Sequence, residues 1–201
     1  STPKLPGSVV GFVIGRILGK YNNEIIEREF RAQIEKVRSL GITIRHLNSE
    51  KHLHLWPSIF RIACKLAHEY KIPYVRLARN VPELHLVSLV LNLLSHYNAR
   101  VLRQYDLLAS GRTIGISASP VSKEKLEAIL RKGSLHERGG EETFTEFIVH
   151  PGYLDEEFWR IQARIPNELT YSREAEASAL SSPTAKNLVE KHEYTLHYHT
   201  T

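Results

Sequence analysis

Short β-prone runs alternate with amphipathic helical stretches along almost the whole chain, and this alternation restricts the possible folds more than any other feature. Over residues 23–40 the apolar positions Ile26, Phe30, Ile34, Val37 and Leu40 recur at helical spacing. Glu24 and Glu27 lie near the start of this stretch, Lys36 and Arg38 near its end, and Gly41 just beyond. Period, dipole and cap therefore agree on a helix. Residues 42–46 then read as a strand. Pro57 opens a second helix, with Ile59, Ala63, Leu66, Ala67 and Tyr70 on its apolar face and Cys64 beside it as a buried thiol. The pattern continues with a strand over 74–78, a long apolar helix within 83–108, a strand over 113–117, a helix over 122–132 and a strand over 143–149. Helices over 155–163, 172–180 and 183–191 precede a closing strand over 194–198. About five such units in succession predict an α/β fold with a mainly parallel sheet.

The 201 residues, 42% hydrophobic and 24% charged, are of ordinary globular composition, with no linker-like stretch and no repeat of fixed period. One domain, 1–201, is the expectation. Residues 1–20 form its lead-in, irregular at first and then a short helix packed closely through Gly11, Gly15 and Gly19. That glycine spacing is not the GxGxxG of a dinucleotide site. The net charge of +5 is spread among acids along the chain, which argues against a nucleic-acid partner. Binding to nucleic acid on charge alone is the weakest functional reading. A single cysteine excludes an internal disulfide and a multi-thiolate zinc site and suits a reducing, cytoplasmic setting. The apolar run at 9–18 contains Arg16 and is half the roughly 20 residues that a membrane span needs.

The segment from His46 to Pro57 reads His-Leu-Asn-Ser-Glu-Lys-His-Leu-His-Leu-Trp-Pro. If it leaves the strand extended, His46, Asn48, Glu50, His52 and His54 project to one side and Leu47, Leu53 and Leu55 to the other. Five side chains able to bind a metal or move a proton would then stand beyond the carboxyl end of a strand, where parallel α/β proteins place their sites. A second candidate is His150, which ends an apolar strand just before Pro151-Gly152 and is read as opening on the same mouth as a general acid or base. The other histidines, at 68, 85, 96, 192, 197 and 199, are read as structural or exposed. No GxSxG elbow or phosphate-binding loop is present.

These residues carry a resemblance to the YdjC-like carbohydrate deacetylases, the group that includes chitooligosaccharide deacetylase and hopanoid-associated deacetylase. It runs from about Asn23 to the end. It rests on the segment 46–54 before Trp56-Pro57, on Ile72-Pro73-Tyr74-Val75-Arg76-Leu77, on His150-Pro151-Gly152-Tyr153, and on Tyr171-Ser172-Arg173-Glu174 followed by Ser182-Pro183. The resemblance implies a distorted (β/α) barrel of the polysaccharide-deacetylase and glycoside-hydrolase type. It also implies a hydrolase that uses a divalent metal ion, magnesium or zinc, to remove acetyl groups from N-acetylated sugars. In that frame His150 is the catalytic residue, as the acid or as a transition-state contact, and Glu50 a metal ligand, with His46, Asn48, His52, His54 and Arg173 lining or supporting the saccharide pocket.

Two substitutions depart from the family. Glu50 stands where it has a metal-binding histidine, and Asn48 where it has an aspartate. An anion in place of an imidazole shifts the preference toward hard ions. The family's opening strand with its paired aspartates, and the next strand with another metal histidine, have no counterpart before Ser1, so the barrel is expected to be incomplete at its N-terminal side. Its open sheet edges leave room for a homodimer. The competing reading is a non-catalytic saccharide-binding or assembly subunit that keeps the pocket without the base.

Overall fold

The computed structural model describes residues 8–79, 86–114, 123–134, 144–162 and 173–196. Those in 8–79 and 86–110 form one compact unit, and those between 111 and 196 a second.

In the first unit, α1 (Val9–Ile17) is capped by Ser8, whose hydroxyl accepts from the Gly11 N–H. α2 (Asn23–Ser39) starts from Asn22, which accepts from the Ile25 N–H at 2.9 Å, and ends before Gly41 at φ 76°. Strand β1 (His46–Leu47) leads through a 3₁₀ segment (Glu50–Leu55) into α3 (Pro57–Glu69), with proline at the first helical position. β2 (Tyr74–Val75) pairs with β1 in parallel, His46 opposite Tyr74 and Leu47 opposite Val75. Leu108 bridges Tyr74 in parallel on the other side, after the long α4 (Leu86–Gln104). The parallel pairing requires a crossover, and α3 supplies it.

The core of this unit is the inner face of α3, where Ile59, Phe60, Ala63, Cys64, Leu66 and Ala67 are buried against Ile26, Leu55, Val75 and Leu77. Cys64 is indeed a buried thiol, with burial pushing its pKa up to about 12. Across the outer side of α2 and α3, Arg31 pairs with Glu69 and Glu27, and Lys65 also reaches Glu27. These cations hold both carboxyls below the usual carboxylate range.

In the second unit β3 (Arg112–Ile114) pairs in parallel with β4 (Thr145–Phe147), Thr113 opposite Glu146. α5 (Lys123–Ser134) and α8 (Pro183–Lys191) close a small core of Leu126, Leu130, Ala185 and Leu188, with Phe147, Val149 and Tyr194 against it. α6 (Glu156–Gln162) and α7 (Arg173–Leu180) complete the unit.

The order of elements is the one the sequence predicts, and both described sheets are parallel. β1, β2 and β4 are shorter than the strands predicted over 42–46, 74–78 and 143–149, and β1 begins only at His46. The closing strand is not formed over its described part, 194–196. Tyr194 instead turns back, its N–H on the Val189 carbonyl and its hydroxyl donating to that of Leu130. Residues 1–7, the predicted strand beyond 114, and His85, His197 and His199 lie outside the described residues. No helix among the described residues is long and apolar enough to cross a membrane.

Candidate functional site

The extended backbone expected for the His46 segment is still present at Ser49, at φ −140° and ψ 159°. Beyond it the chain coils into the 3₁₀ segment, with Lys51 and His52 in the left-handed region at φ 49° and 56°. The period-two projection is lost there, so the five polar residues do not share one strand face. What replaces it is a hydrogen-bonded turn organised by Ser49.

The Ser49 hydroxyl accepts from the His54 backbone N–H and meets His54 Nδ1, both at 2.8 Å. His54 Nε2 lies 3.0 Å from the Arg76 carbonyl. A carbonyl only accepts, so Nε2 carries the proton and Nδ1 takes the Ser49 hydroxyl hydrogen. His54 is buried, packed toward Phe60 and 6.4 Å from the ring of His52. Burial drives its pKa down to about 3, with the nearby His52 and Arg76 adding to the effect. It is therefore neutral, and with both ring nitrogens committed it pins the turn from inside rather than facing a ligand.

Arg76, just past β2, ties the two strand ends together. Its N–H bonds to the Leu47 carbonyl at 3.0 Å and its carbonyl receives His54. With the Asn48 carboxamide oxygen turned toward it, its guanidinium donates to Asn48 at 2.8 and 3.3 Å. The half-buried His46 ring lies tilted against Tyr74, with centroids 4.9 Å apart, while Glu50 opens the 3₁₀ segment in an exposed position. Asn48, His54 and Arg76 thus meet at the carboxyl ends of β1 and β2, where the sequence placed the site. Arg76 and Ser49 enter the sequence reading only as motif residues, with no role in the site given to either. A charged residue directly after the apolar pair Tyr74-Val75 was the available signal for Arg76; Ser49 had none.

Whether these residues fit a metal ion can be judged from the donors. Among the described residues no three His, Cys, Asp or Glu side chains converge as a ligand set. The polar turn at Asn48–His54 spends its imidazole on hydrogen bonds, so it does not by itself complete such a set.

In the second unit, His150 lies three residues past β4, exposed, in a segment that runs alongside α7. Its backbone N–H donates to the Glu176 carboxyl at 2.6 Å, and Glu176 is only 1% exposed. The Gly152 N–H donates to the Arg173 carbonyl at 3.2 Å and the Leu154 N–H to Glu174 Oε1 at 3.1 Å. The Arg173 guanidinium lies over the Phe158 ring, 5.6 Å from its centre. The segment that carries His150 and the helix turn that carries Arg173 therefore lie side by side. Glu176 was missed, although an acidic residue three positions past Arg173 is visible in the sequence.

A family model described as YdjC-like protein matches residues 3–191. A carbohydrate deacetylase of Thermoanaerobacter pseudethanolicus is 30% identical over 138 residues, 69% of this chain and 46% of that protein. A carbohydrate deacetylase of Oceanobacillus iheyensis is 36% identical over 61 residues, 29% of this chain and 26% of the relative. Each match thus spans less than half of the relative's length. A crystal structure from Enterococcus faecalis, described as a cellobiose-phosphate cleavage protein, superposes with a TM-score of 0.66. It is 19% identical, covering 90% of this chain and 61% of that one, and so shares the fold.

Proposed function

The chain belongs to the YdjC-like family, and from that premise we propose that the protein is a carbohydrate deacetylase, hydrolysing the acetamide of N-acetylated sugars or oligosaccharides. The observation that carries this reading is the 30% identity over 69% of the chain to a relative that bears that name. In this reading residues 1–201 act as one catalytic-type α/β domain of a distorted (β/α) barrel, cytoplasmic as its lone buried thiol suggests.

Hydrolysis joins a water oxygen to the acetyl carbon, breaks the C–N bond and leaves acetate and an amine that must gain a proton. His150 is the group proposed to supply that proton, since its exposed side chain, three residues past β4, is open to a substrate. In the second unit Arg173, held over Phe158, is proposed to offer N–H donors to saccharide oxygens. The first unit, taken by itself, presents His46, His52 and Asn48 as candidate polar contacts for a saccharide, with His54 fixing their turn. Glu50 is assigned to a divalent ion, magnesium or zinc. The described residues do not complete that ion's ligand set, and the steps given to His150 and Arg173 do not run through it.

The test is acetate release from N-acetylglucosamine oligosaccharides. Release that stops on chelation and returns with magnesium or zinc is expected, with kcat falling about 100-fold or more in His150→Ala. Normal turnover by His150→Ala removes its role. Oligosaccharide binding with no acetate released under any metal condition replaces the enzyme with a non-catalytic saccharide-binding subunit.

A further inference from the structure

We propose that the first turn of α7 is a bracket that positions His150, with Glu176 as its positioning residue. The inference rests on the reading of His150 as the proton donor.

Three alternate backbone donors, at 150, 152 and 154, are all received by this one turn. His150 gives its N–H to the Glu176 carboxyl at 2.6 Å, Gly152 to the Arg173 carbonyl at 3.2 Å and Leu154 to the Glu174 carboxyl at 3.1 Å. Donors at i, i+2 and i+4 lie on one edge of an extended segment, so the turn receives residues 150–154 as a neighbouring strand would. The usual supplier of such acceptors is another backbone. Here two of the three are side chains, which places the register of the segment under the control of Glu174 and Glu176.

Glu176 is almost fully buried, whereas His150 is exposed. A buried carboxyl needs a donor, and a short bond from a backbone N–H fixes the main chain of the residue that provides it. The imidazole then has only its own side-chain torsions left to vary. The same turn carries Arg173, whose carbonyl is one of the acceptors and whose guanidinium is held over Phe158. Two proposed site residues are therefore referenced to one piece of helix, the arrangement that keeps a proton donor within a fraction of an ångström of its working place.

The experiment compares Glu176→Ala, Glu176→Gln and Glu174→Ala by acetate-release kinetics and by amide hydrogen exchange at residues 150, 152 and 154. In Glu176→Ala, exchange at the His150 amide is expected to quicken at least about tenfold. Its kcat should fall by about 10- to 100-fold, with KM changed by less than about twofold. Glu176→Gln keeps an acceptor oxygen and should restore kcat to within about threefold of the original. Unchanged kcat and exchange in folded Glu176→Ala overturn the bracket, as does a Gln variant as impaired as the Ala one. If Glu176→Ala does not fold, the exposed Glu174→Ala decides. Faster exchange at Leu154 with a kcat about three- to tenfold lower supports the bracket, and no change in either overturns it. If the original protein releases no acetate, the deacetylase reading fails on its own. Exchange at 150, 152 and 154 in the three variants still decides whether α7 holds the segment.

Discussion

His54 shows how a residue chosen for its chemistry can be given another task by its neighbours. Its imidazole is buried, receives the Ser49 hydroxyl hydrogen on Nδ1 and donates from Nε2 to the Arg76 carbonyl. Protonation would put a charge in the core and face the Nδ1 proton toward a hydroxyl already holding the His54 N–H, so the folded chain resists it down to about pH 3. The unfolded chain takes up that proton near pH 6.5. Between those values the unfolded state binds more protons, so stability is full above about pH 6.5 and declines as pH falls, by about 1.4 kcal/mol per unit. Urea unfolding from pH 7 to pH 4.5 should show this slope, and His54→Gln should flatten it. A slope unchanged in the variant would place the titration elsewhere. Ser49→Ala, which strips partners from a buried ring nitrogen and a buried N–H together, should cost about 3 kcal/mol. The residue types at 46–54 were legible as a polar cluster beyond a strand; their arrangement was not. Period-two reasoning needs an extended backbone, and the Ser49 side chain competes for the His54 N–H and coils it instead.

Helices were legible in the sequence almost to their ends, as α2, α3 and α8 show, because caps and apolar period speak together. The strands were legible in order but not in length, since pairing depends on partners far along the chain. In the glycine-spaced segment at the start, the close packing expected of Gly11, Gly15 and Gly19 is met at Gly15 and not at Gly19, which lies past α1. α1 folds back so that Tyr21 lies on Gly15: a Cβ there would fall 2.3 Å from Tyr21 Cε2, and the Gly15 carbonyl receives the N–H groups of both Lys20 and Tyr21. Tyr21 is buried and stacked on Phe12, with centroids 5.9 Å apart. Alanine is favoured over glycine by about 1 kcal/mol within a helix. Displacing a buried ring typically costs about 1–3 kcal/mol. Packing wins that comparison, so Gly15→Ala should lower the urea midpoint. A raised midpoint would mean that the Tyr21 contact is loose. Gly19, at φ 74° with open space around it, tests the backbone alone. Gly19→Ala should cost about 1 kcal/mol from the left-handed conformation.

At the scale of the whole molecule, α4 is the element whose surroundings the sequence left least determined. Its inward side carries Ser88, Leu91, Ser95, Asn98 and Leu102, and Asn98 donates to the Leu55 carbonyl at 2.7 Å. Its other side carries Leu86, Leu89, Val90, Leu93 and Tyr97, each about half exposed or more. An apolar helix face is ordinarily the one turned to a core or a partner. A contiguous stripe of this kind exposed to water binds apolar probes and drives association. The two sides therefore respond in opposite ways to the same change. Leu89→Glu with Leu93→Glu should leave the unfolding midpoint within about 0.5 kcal/mol of the original. It should also reduce binding of an apolar dye and concentration-dependent association in sizing chromatography. Leu91→Glu, at a position 7% exposed, should cost about 3 kcal/mol or more by burying a charge without a partner. If the Leu89 and Leu93 pair proved as costly as Leu91, the outer stripe would be covered in the protein as it exists in solution. The face would then belong to a buried interface rather than to the surface.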